Sequence, residues 1–453
     1  MDAFLANIDV TIIHVGNMAN KGTQALLTSD VSLIQKIVAG RTSFCVSTTD
    51  VDGVKSMKLP VEAIVPPMVD IPYERADFYA KRTGLSRSSP KYKIIALAVL
   101  FFMPVQMLLS VLSAVSMKSG LEPIYRGRLL RYMQGSQMVV SYSDENFKET
   151  ASMLPLNVYW VLTWWSMLVS KTWDVLIAKY LGRPLVLFPN SIGPFRTTIG
   201  RTLARLALNR CDRILVREPV SFKIVESLHV KPPRILTVDT VLTLDRVQDQ
   251  TKIDFSRPTI GVSAGIYSNS LSKKEVERYV EAHAQALDEA IETRGFSVVF
   301  LPHYVVGFVT DDLAVSEMIL SRMRNKHKAQ VINASTLNEF RSLVGQMDIM
   351  ISSKMHPAVL AVASQVPVVC VAYDHKQTGF FERLKLADCV LPVRDISTRK
   401  LLSKIDYVWG ERESIRRSLN RDIPVLQAKA IETIRSAIAS YVPAVPSEDE
   451  KLD

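Results

Sequence analysis

Short apolar runs alternate with helical stretches along most of the chain, and this alternation restricts the fold more than any other feature. In the first half, runs typical of buried strands fall at residues 10–15, 138–141, 185–188, 214–216 and 235–238. In the second half they fall at residues 259–264, 297–301, 329–332, 349–351 and 366–371. Apolar strands separated by helices are typical of parallel sheets that are covered on both faces. The pattern predicts an α/β protein.

A polar segment with little periodicity separates the two series, and we interpret residues 246–258 as a linker. A chain of 453 residues is long for one core and suits two domains of roughly 200 residues each. We therefore expect two doubly wound, Rossmann-like lobes, an N-terminal lobe over residues 1–245 and a C-terminal lobe over residues 259–443. The acidic residues 444–453 are predicted to be a disordered tail.

The formal net charge of +10 favours anionic partners. The basic residues are scattered and form no zinc-finger or RNA-recognition pattern, so nucleic acid is not an expected partner. The four cysteines lie far apart in the sequence, and no metal-ligand spacing is visible, so we predict no metal site and buried thiols in a reducing compartment. No basic segment precedes the first apolar run, and we expect a cytoplasmic protein without a secretory signal.

Residues 94–117 form an apolar stretch long enough to cross a bilayer, which takes about 20 residues. Pro104 and Gln106 interrupt this stretch, and a single crossing would place strands of one lobe on opposite sides of the membrane. Three arrangements remain open: an interfacial or re-entrant helical hairpin broken at Pro104, a buried pair of core helices, and a spanning helix. We favour the first of these.

A second apolar patch covers residues 154–173 and contains Trp160, Trp164, Trp165 and Trp173. Tryptophan rings prefer the membrane interface when they are exposed, whereas an aromatic core is the alternative. Together the two patches predict a membrane-associating insert in the N-terminal lobe. The expected location is the inner face of the cell membrane, with peripheral or re-entrant contact.

The segment SSKMHPAVLA, residues 352–361, follows an expected strand and begins a helix. Pro357 suits the first turn of a helix, so the helix is predicted to begin near Met355 to Pro357. Lys354 and His356 then lie at a positively polarised helix start and form a pocket for a phosphate or carboxylate. We predict that His356 is catalytic, with core packing as the alternative. The predicted substrate-binding residues of this segment are Lys354, Ser353 and Met355.

Two further side chains follow expected strands and are predicted to be catalytic. Arg217 follows residues 214–216, and its alternative role is an ion pair with Glu218 or another neighbouring carboxylate. His303 follows the strand expected at residues 297–301, and its alternative role is a simple hydrogen bond at the strand end.

A glycine-containing turn, HVGNMANKGTQALL, occupies residues 14–27 between an expected strand and an expected helix. Glycine allows a ligand to approach the backbone closely, although a tight turn without a ligand explains the pattern equally well. The predicted ligand contacts in this turn are Gly16, Asn17 and Asn20.

Six motifs occur in the order that resembles the polysaccharide pyruvyl transferases, from about residue 10 to about residue 395. They are GNMANKGTQALL, PNSIGPF (189–195), LVREPVS (215–221), VDTVLTL (238–244), SSKMHPAVLA and VPVVCVAYDHKQTGFF (366–381). The resemblance implies a two-lobed fold similar to the GT-B glycosyltransferases. It also implies transfer of pyruvate from phosphoenolpyruvate to a sugar as a ketal. Arg217 and His356 match the family's arginine and histidine, and Lys354 stands where the family usually has a second arginine.

On this resemblance, phosphoenolpyruvate is the donor substrate, no cofactor is needed, and the acceptor is a sugar of a polysaccharide or a lipid-linked saccharide. Arg217, Lys354 and the helix start at His356 would hold the donor, and His356 would supply the proton. Asp374 or His303 would accept the proton of the attacking hydroxyl, although Asp374 could instead cap the helix that starts near His375. The remaining predicted substrate-binding residues are Asn190 and Lys376.

Two other functions stay open. The first is a GT-B glycosyltransferase that uses a nucleotide sugar. The second is a non-catalytic, membrane-associated protein of the same fold.

Overall fold

The computed structural model describes residues 8–38, 40–85, 89–149, 165–247, 258–266, 271–306 and 311–442. The predicted tail at 444–453 and most of the predicted linker lie outside the described residues. Trp160 and Trp164 also lie outside them. The chain divides into two compact units, which are described separately below.

The first unit contains a seven-stranded, fully parallel sheet in the order β3-β2-β1-β4-β5-β6-β7. Its strands are β1 (Val10–Val15), β2 (Phe44–Thr48), β3 (Ala63–Val65), β4 (Met138–Ser141), β5 (Leu185–Asn190), β6 (Arg213–Val216) and β7 (Arg234–Leu236). The helices before β7 are α1 (Lys21–Ile37), α2 (Val51–Ser56), α3 (Pro72–Thr83), α4 (Pro90–Lys118), α5 (Gly127–Gly135), α6 (Ser166–Tyr180), α7 (Thr198–Leu208) and α8 (Pro219–Ser227). Strand β1 has β2 on one side and β4 on the other, so the strand order reverses there.

The second unit contains a six-stranded parallel sheet in the order β10-β9-β8-β11-β12-β13. Its strands are β8 (Thr259–Ser263), β9 (Ser297–Phe300), β10 (Ala329–Val331), β11 (Ile349–Ser352), β12 (Val368–Ala372) and β13 (Val390–Pro392). The helices after β8 are α9 (Lys273–Arg294), α10 (Asp312–Arg322), α11 (Leu337–Gly345), α12 (Met355–Ala363), α13 (His375–Arg383), α14 (Thr398–Gly410) and α15 (Arg412–Ile438). Two doubly wound parallel lobes were predicted, and both are present.

The units are not the contiguous blocks 1–245 and 259–443 that the sequence predicts. The first unit comprises residues 1–18, 26–240 and 429–453, and the second comprises residues 19–25 and 241–428. The last turns of α15 belong to the first unit, and in them Ala430, Ile434 and Ala437 are buried at helical spacing. Residues 19–25, which include the first residues of α1, belong to the second unit.

The local sequence explains where several helices begin and end. Helix α9 starts with a capping box in which the side chains of Ser272 and Glu275 each bond to the other's backbone N–H. It ends at Gly295, whose φ of 69° is in the left-handed region that favours glycine. Helix α8 starts at Pro219, and the Glu218 carboxylate accepts a hydrogen bond from the N–H of Ser221.

Helix α4 runs unbroken from Pro90 to Lys118, so the expected hairpin broken at Pro104 is wrong. A proline removes one backbone hydrogen bond of a helix. The helix continues because polar residues beyond Pro104 hold one face against the first unit: Gln106 bonds to Asp70, and Ser110 accepts a hydrogen bond from the Trp173 indole. The buried core pair is wrong as well, because only four apolar side chains of the helix are buried, namely Tyr92, Ala96, Met103 and Ala114.

Candidate functional site

The loops that follow β9 and β11 lie at the same edge of the second sheet, because the carboxyl ends of parallel strands share one edge. His303 follows β9, and Lys354 and His356 follow β11. Helix α12 begins at Met355, as predicted, and no acidic side chain lies in its first turn. Residues 19–25 join them, because the Lys21 N–H donates to the His303 carbonyl at 3.3 Å and residue 20 forms a β-bridge with residue 304.

His303 and His356 stack with ring centroids 6.3 Å apart and an interplanar angle of 16°. The His303 ring is buried and meets the Phe340 ring edge-on. Burial, followed by the charges of His356, Lys354 and Lys21, lowers the pKa of His303 well below its usual value. His303 is therefore neutral near pH 7 and is a weaker proton acceptor than a free imidazole.

Lys354 forms an ion pair with Asp312, with its Nζ 3.1 Å from Oδ1. The other carboxylate oxygen of Asp312 accepts hydrogen bonds from the backbone N–H groups of His303, at 3.3 Å, and Tyr304, at 2.9 Å. One buried carboxylate thus fixes both the loop after β9 and the lysine before α12.

Lys21 adds a second lysine to this group of residues. Its Nζ lies 5.7 Å from the centre of the Phe340 ring and 3.5 Å from the Pro302 carbonyl oxygen. Burial lowers the pKa of Lys21, while the charges of Asp312 and Glu339 act in the opposite direction. We call Lys21, Lys354 and His356, together with the neutral His303 ring that stacks on His356, the cationic cluster.

Two glycines make room for the cationic cluster. A Cβ atom on Gly22 would collide with the imidazole of His356. A Cβ atom on Gly265 would collide with the side chain of Lys354 and lie 2.7 Å from Oδ1 of Asp312. The chain must have glycine at both positions for these side chains to keep their places.

In the first unit, Arg217 is buried and follows β6. Its guanidinium donates to Asp239 at 2.8 Å and to the Ser191 hydroxyl at 2.8 Å, and it lies 4.0 Å from Glu145. Arg217 therefore forms the ion pair that is its alternative role, and its partner is Asp239 rather than Glu218.

A protein-family model described as polysaccharide pyruvyl transferase matches residues 66–375. That match spans more than half of the chain. The chain belongs to the polysaccharide pyruvyl transferase family.

One relative of this pyruvyl transferase is the amylovoran biosynthesis protein AmsJ of Erwinia amylovora. The two are 23% identical over 269 residues, which is 55% of this chain and 62% of AmsJ. The chain thus matches less than two thirds of that relative's length.

Solved structures with the same fold include two UDP-N-acetylglucosamine 2-epimerases. The putative enzyme from Listeria monocytogenes has a TM-score of 0.58 and 11% identity, with 96% of this chain and 97% of that chain covered. The Neisseria meningitidis enzyme, bound to UDP-GlcNAc, has a TM-score of 0.57 and 13% identity, with 95% and 99% covered. At these identities the likeness shows the fold alone, and it confirms the predicted GT-B-like architecture.

Several predicted site residues of this family member have roles within the fold. All the polar groups of the Asn190 amide are used: its nitrogen donates to the carbonyls of Tyr142 and Phe188, and its oxygen accepts from the N–H of Asn146. The Asn20 side chain accepts from the Gly22 N–H at 2.9 Å at the start of α1. The Gly16 carbonyl accepts from the Thr48 hydroxyl at 3.4 Å, and Asn17 follows in the same turn after β1.

Ser353 and Met355 are buried beside the two charged residues of their segment. The Ser353 hydroxyl lies 2.5 Å from the Tyr279 hydroxyl, and its N–H donates to the Ser263 carbonyl at 3.0 Å. Ser353 therefore fixes the loop before α12. Met355 supplies the first residue of that helix.

Helix α13 begins at His375, as predicted, and Asp374 directly precedes it. The carboxylate makes no capping hydrogen bond to the helix, however, and instead lies 2.7 Å from Nδ1 of His375 and 3.9 Å from Nζ of Lys376. Lys376 is buried, with its Nζ 5.6 Å from the centre of the Tyr373 ring.

Neither Lys21 nor Asp312 was among the predicted site residues. Lys21 lies five residues after Gly16 in the same glycine-containing turn, so the motif itself contained the signal. Asp312 lies in the sequence DDL at the start of α10 and reads as an ordinary helix-start acid. Only its contact with Lys354 gives it a place in the site.

Proposed function

We propose that this protein transfers pyruvate from phosphoenolpyruvate to a saccharide and forms a ketal. The observation that carries the proposal is the cationic cluster beside the start of α12. Phosphoenolpyruvate carries a phosphate and a carboxylate, and lysine side chains together with a helix start are suited to hold both groups. Family membership supports the reaction class.

In the proposed reaction, His356 in its protonated form donates a proton to the methylene carbon of the enol. The central carbon becomes electrophilic, and an oxygen of the first sugar hydroxyl bonds to it. The bond to the phosphate oxygen then breaks, phosphate leaves, and a second hydroxyl of the sugar closes the ketal. Of the two hydroxyl protons, one restores His356 and the other leaves with phosphate or solvent. Arg217 and Asp374 remain proposed catalytic residues.

The test is calorimetric titration of the full chain with phosphoenolpyruvate and, separately, with UDP and UDP-N-acetylglucosamine. His356→Ala and Lys354→Met should each weaken phosphoenolpyruvate binding at least about tenfold, because each removes a cationic hydrogen-bond donor. The matched controls are His327→Ala and Lys326→Met, two exposed residues of the second unit, and these should bind like the wild type. Binding of UDP without binding of phosphoenolpyruvate would favour the nucleotide-sugar glycosyltransferase instead.

We further propose that α4 holds the protein against the cytoplasmic face of the membrane, where a lipid-linked acceptor would be located. Among the described residues, α4 is the one helix that is long and apolar enough to cross a bilayer. Its outward face includes Phe101, 76% exposed, and Phe102, 62% exposed. Lys91 and Lys118 lie at its two ends and complement anionic headgroups.

Sedimentation with vesicles tests this contact. The protein should sediment with vesicles that contain phosphatidylglycerol, and less with phosphatidylcholine alone. Phe101→Ser/Phe102→Ser should abolish sedimentation, whereas the control Ile199→Ser/Leu206→Ser, on the exposed face of α7, should not. The alternative outcome is that the wild type does not sediment with vesicles but forms a dimer, and that Phe101→Ser/Phe102→Ser disrupts this dimer. In that case the exposed face of α4 binds a second copy of the chain instead.

A further inference from the structure

A small polar cavity in the first unit is lined by none of the residues assigned above to the reaction. It is lined by the ends of β1 and β2, by the start of α3 and by α6. Its volume is about 20 Å³, which is room for one water molecule or one hydroxyl group. The lining includes His14, Ser47, Glu74, Lys171 and Asp174. We call it the β1–β2 cavity.

Three residues that line this cavity each have a buried side-chain atom that makes no hydrogen bond within the described part of the chain. These atoms are Nε2 of His14, the Ser47 hydroxyl and Oδ1 of Asp174. The three side chains are between 1% and 7% exposed. Buried polar atoms are nearly always satisfied, so three such atoms around one cavity indicate a shared partner that enters it.

The remaining contacts hold these groups in place. Nδ1 of His14 lies 2.8 Å from the Ser141 hydroxyl, and the Lys171 ammonium donates to the Asn146 side chain at 2.8 Å. His14 also adopts a φ of 72°, which is rare for a residue other than glycine. Such backbone strain is often found where a side chain is directed at a ligand.

The charge balance argues against an anionic ligand. Lys171 interacts with the carboxylates of Glu74, Asp144 and Asp174, and burial lowers its pKa. Burial also raises the pKa of Asp174 to about 7 and lowers that of His14 well below its usual value. The cavity thus presents a mixture of hydrogen-bond donors and acceptors with little net charge, which suits a neutral hydroxyl group.

The position in the sheet supports a ligand as well. The cavity adjoins the carboxyl ends of β1 and β2, next to the reversal of strand order between β1 and β4. In open α/β sheets, ligands bind outside the carboxyl ends of the strands, which is the edge where this cavity opens.

We propose that the β1–β2 cavity takes a hydroxyl or hydroxymethyl group of the acceptor saccharide, with Asp174, His14 and Ser47 as its hydrogen-bond partners. The inference rests on the proposed function, because that function makes the acceptor a saccharide. It assigns acceptor recognition to residues of the first unit, of which only His14 belongs to a motif described above.

The test uses saturation-transfer difference NMR with the methyl glycosides of glucose, galactose, mannose and N-acetylglucosamine. Ser47→Val removes an unsatisfied hydroxyl and fills the cavity, and valine suits a strand, so the variant should fold. Thr42→Val is the matched control: Thr42 Oγ1 is also buried without a hydrogen bond in the described residues, but it does not line the cavity.

At least one glycoside should bind the wild type and Thr42→Val, and its affinity should fall at least about tenfold in Ser47→Val. Phosphoenolpyruvate binding should stay unchanged in Ser47→Val, which separates this inference from the proposed donor site. Equal glycoside affinity in Ser47→Val and wild type would overturn the inference. So would phosphoenolpyruvate binding with no glycoside bound, which would mean that the cavity holds only water. Glycoside binding without phosphoenolpyruvate binding would leave the inference intact and refute the proposed donor.

Discussion

At the scale of single residues, the absence of a side chain at Gly265 controls the position of Lys354. A Cβ atom at residue 265 would force Lys354 and Asp312 apart. We therefore expect Gly265→Ala to weaken phosphoenolpyruvate binding about tenfold or more by displacing the lysine, even though the variant leaves every charge in place. Titration calorimetry measures the effect. Gly345→Ala is the control, because a Cβ atom there would meet only Ser364, at an ordinary distance of 3.8 Å. Normal phosphoenolpyruvate binding by Gly265→Ala would show that Lys354 does not contact the donor.

Asp30 gives a residue-scale prediction for pH. Burial raises its pKa from 3.8 to about 7, opposed by hydrogen bonds from Ser143 and Thr240. The folded protein thus binds a proton that the unfolded chain has released, so this contribution to stability is complete below about pH 4 and is lost as pH rises to about 7. Its size is on the order of 4 kcal/mol at most. As the pH rises from 5 to 8, the urea midpoint of the wild type should decrease relative to that of Asp30→Asn. Parallel pH profiles of the two proteins would contradict this.

At the scale of elements, helix α8 depends on the cap at Glu218. The carboxylate accepts a hydrogen bond from the Ser221 N–H at 2.9 Å, and both residues are buried. Glu218→Ala should destabilise the first unit by about 1 kcal/mol or more, because it leaves a helix-start N–H without a partner. Urea unfolding followed by circular dichroism measures this loss. The control is Glu226→Ala, near the other end of the same helix. An unchanged urea midpoint in Glu218→Ala would mean that the cap does not contribute to the stability of the first unit.

At the scale of the whole molecule, the first unit is assembled from distant parts of the chain. Ile434 is fully buried, and it lies in the part of α15 that belongs to the first unit. Replacing a buried isoleucine by alanine costs about 2–5 kcal/mol. Ile434→Ala should therefore reduce hydrogen-exchange protection in β1 and β4 more than in β8 and β11. The opposite pattern would show that this helix end stabilises the second unit. Val425→Ala, at a 64% exposed position of the same helix, is the control.

The sequence by itself determined the two parallel sheets, the family and the start of α12, because apolar runs, motif order and a proline near a helix start act over short stretches of chain. It missed β3 and β13, which are three-residue edge strands, and β2, whose serine and threonine weaken the apolar run. Only the tertiary structure decided that Lys21 joins His303, Lys354 and His356, that Asp239 pairs with Arg217, and that α4 is unbroken. These outcomes depend on contacts between residues far apart in the chain, which local sequence patterns do not encode.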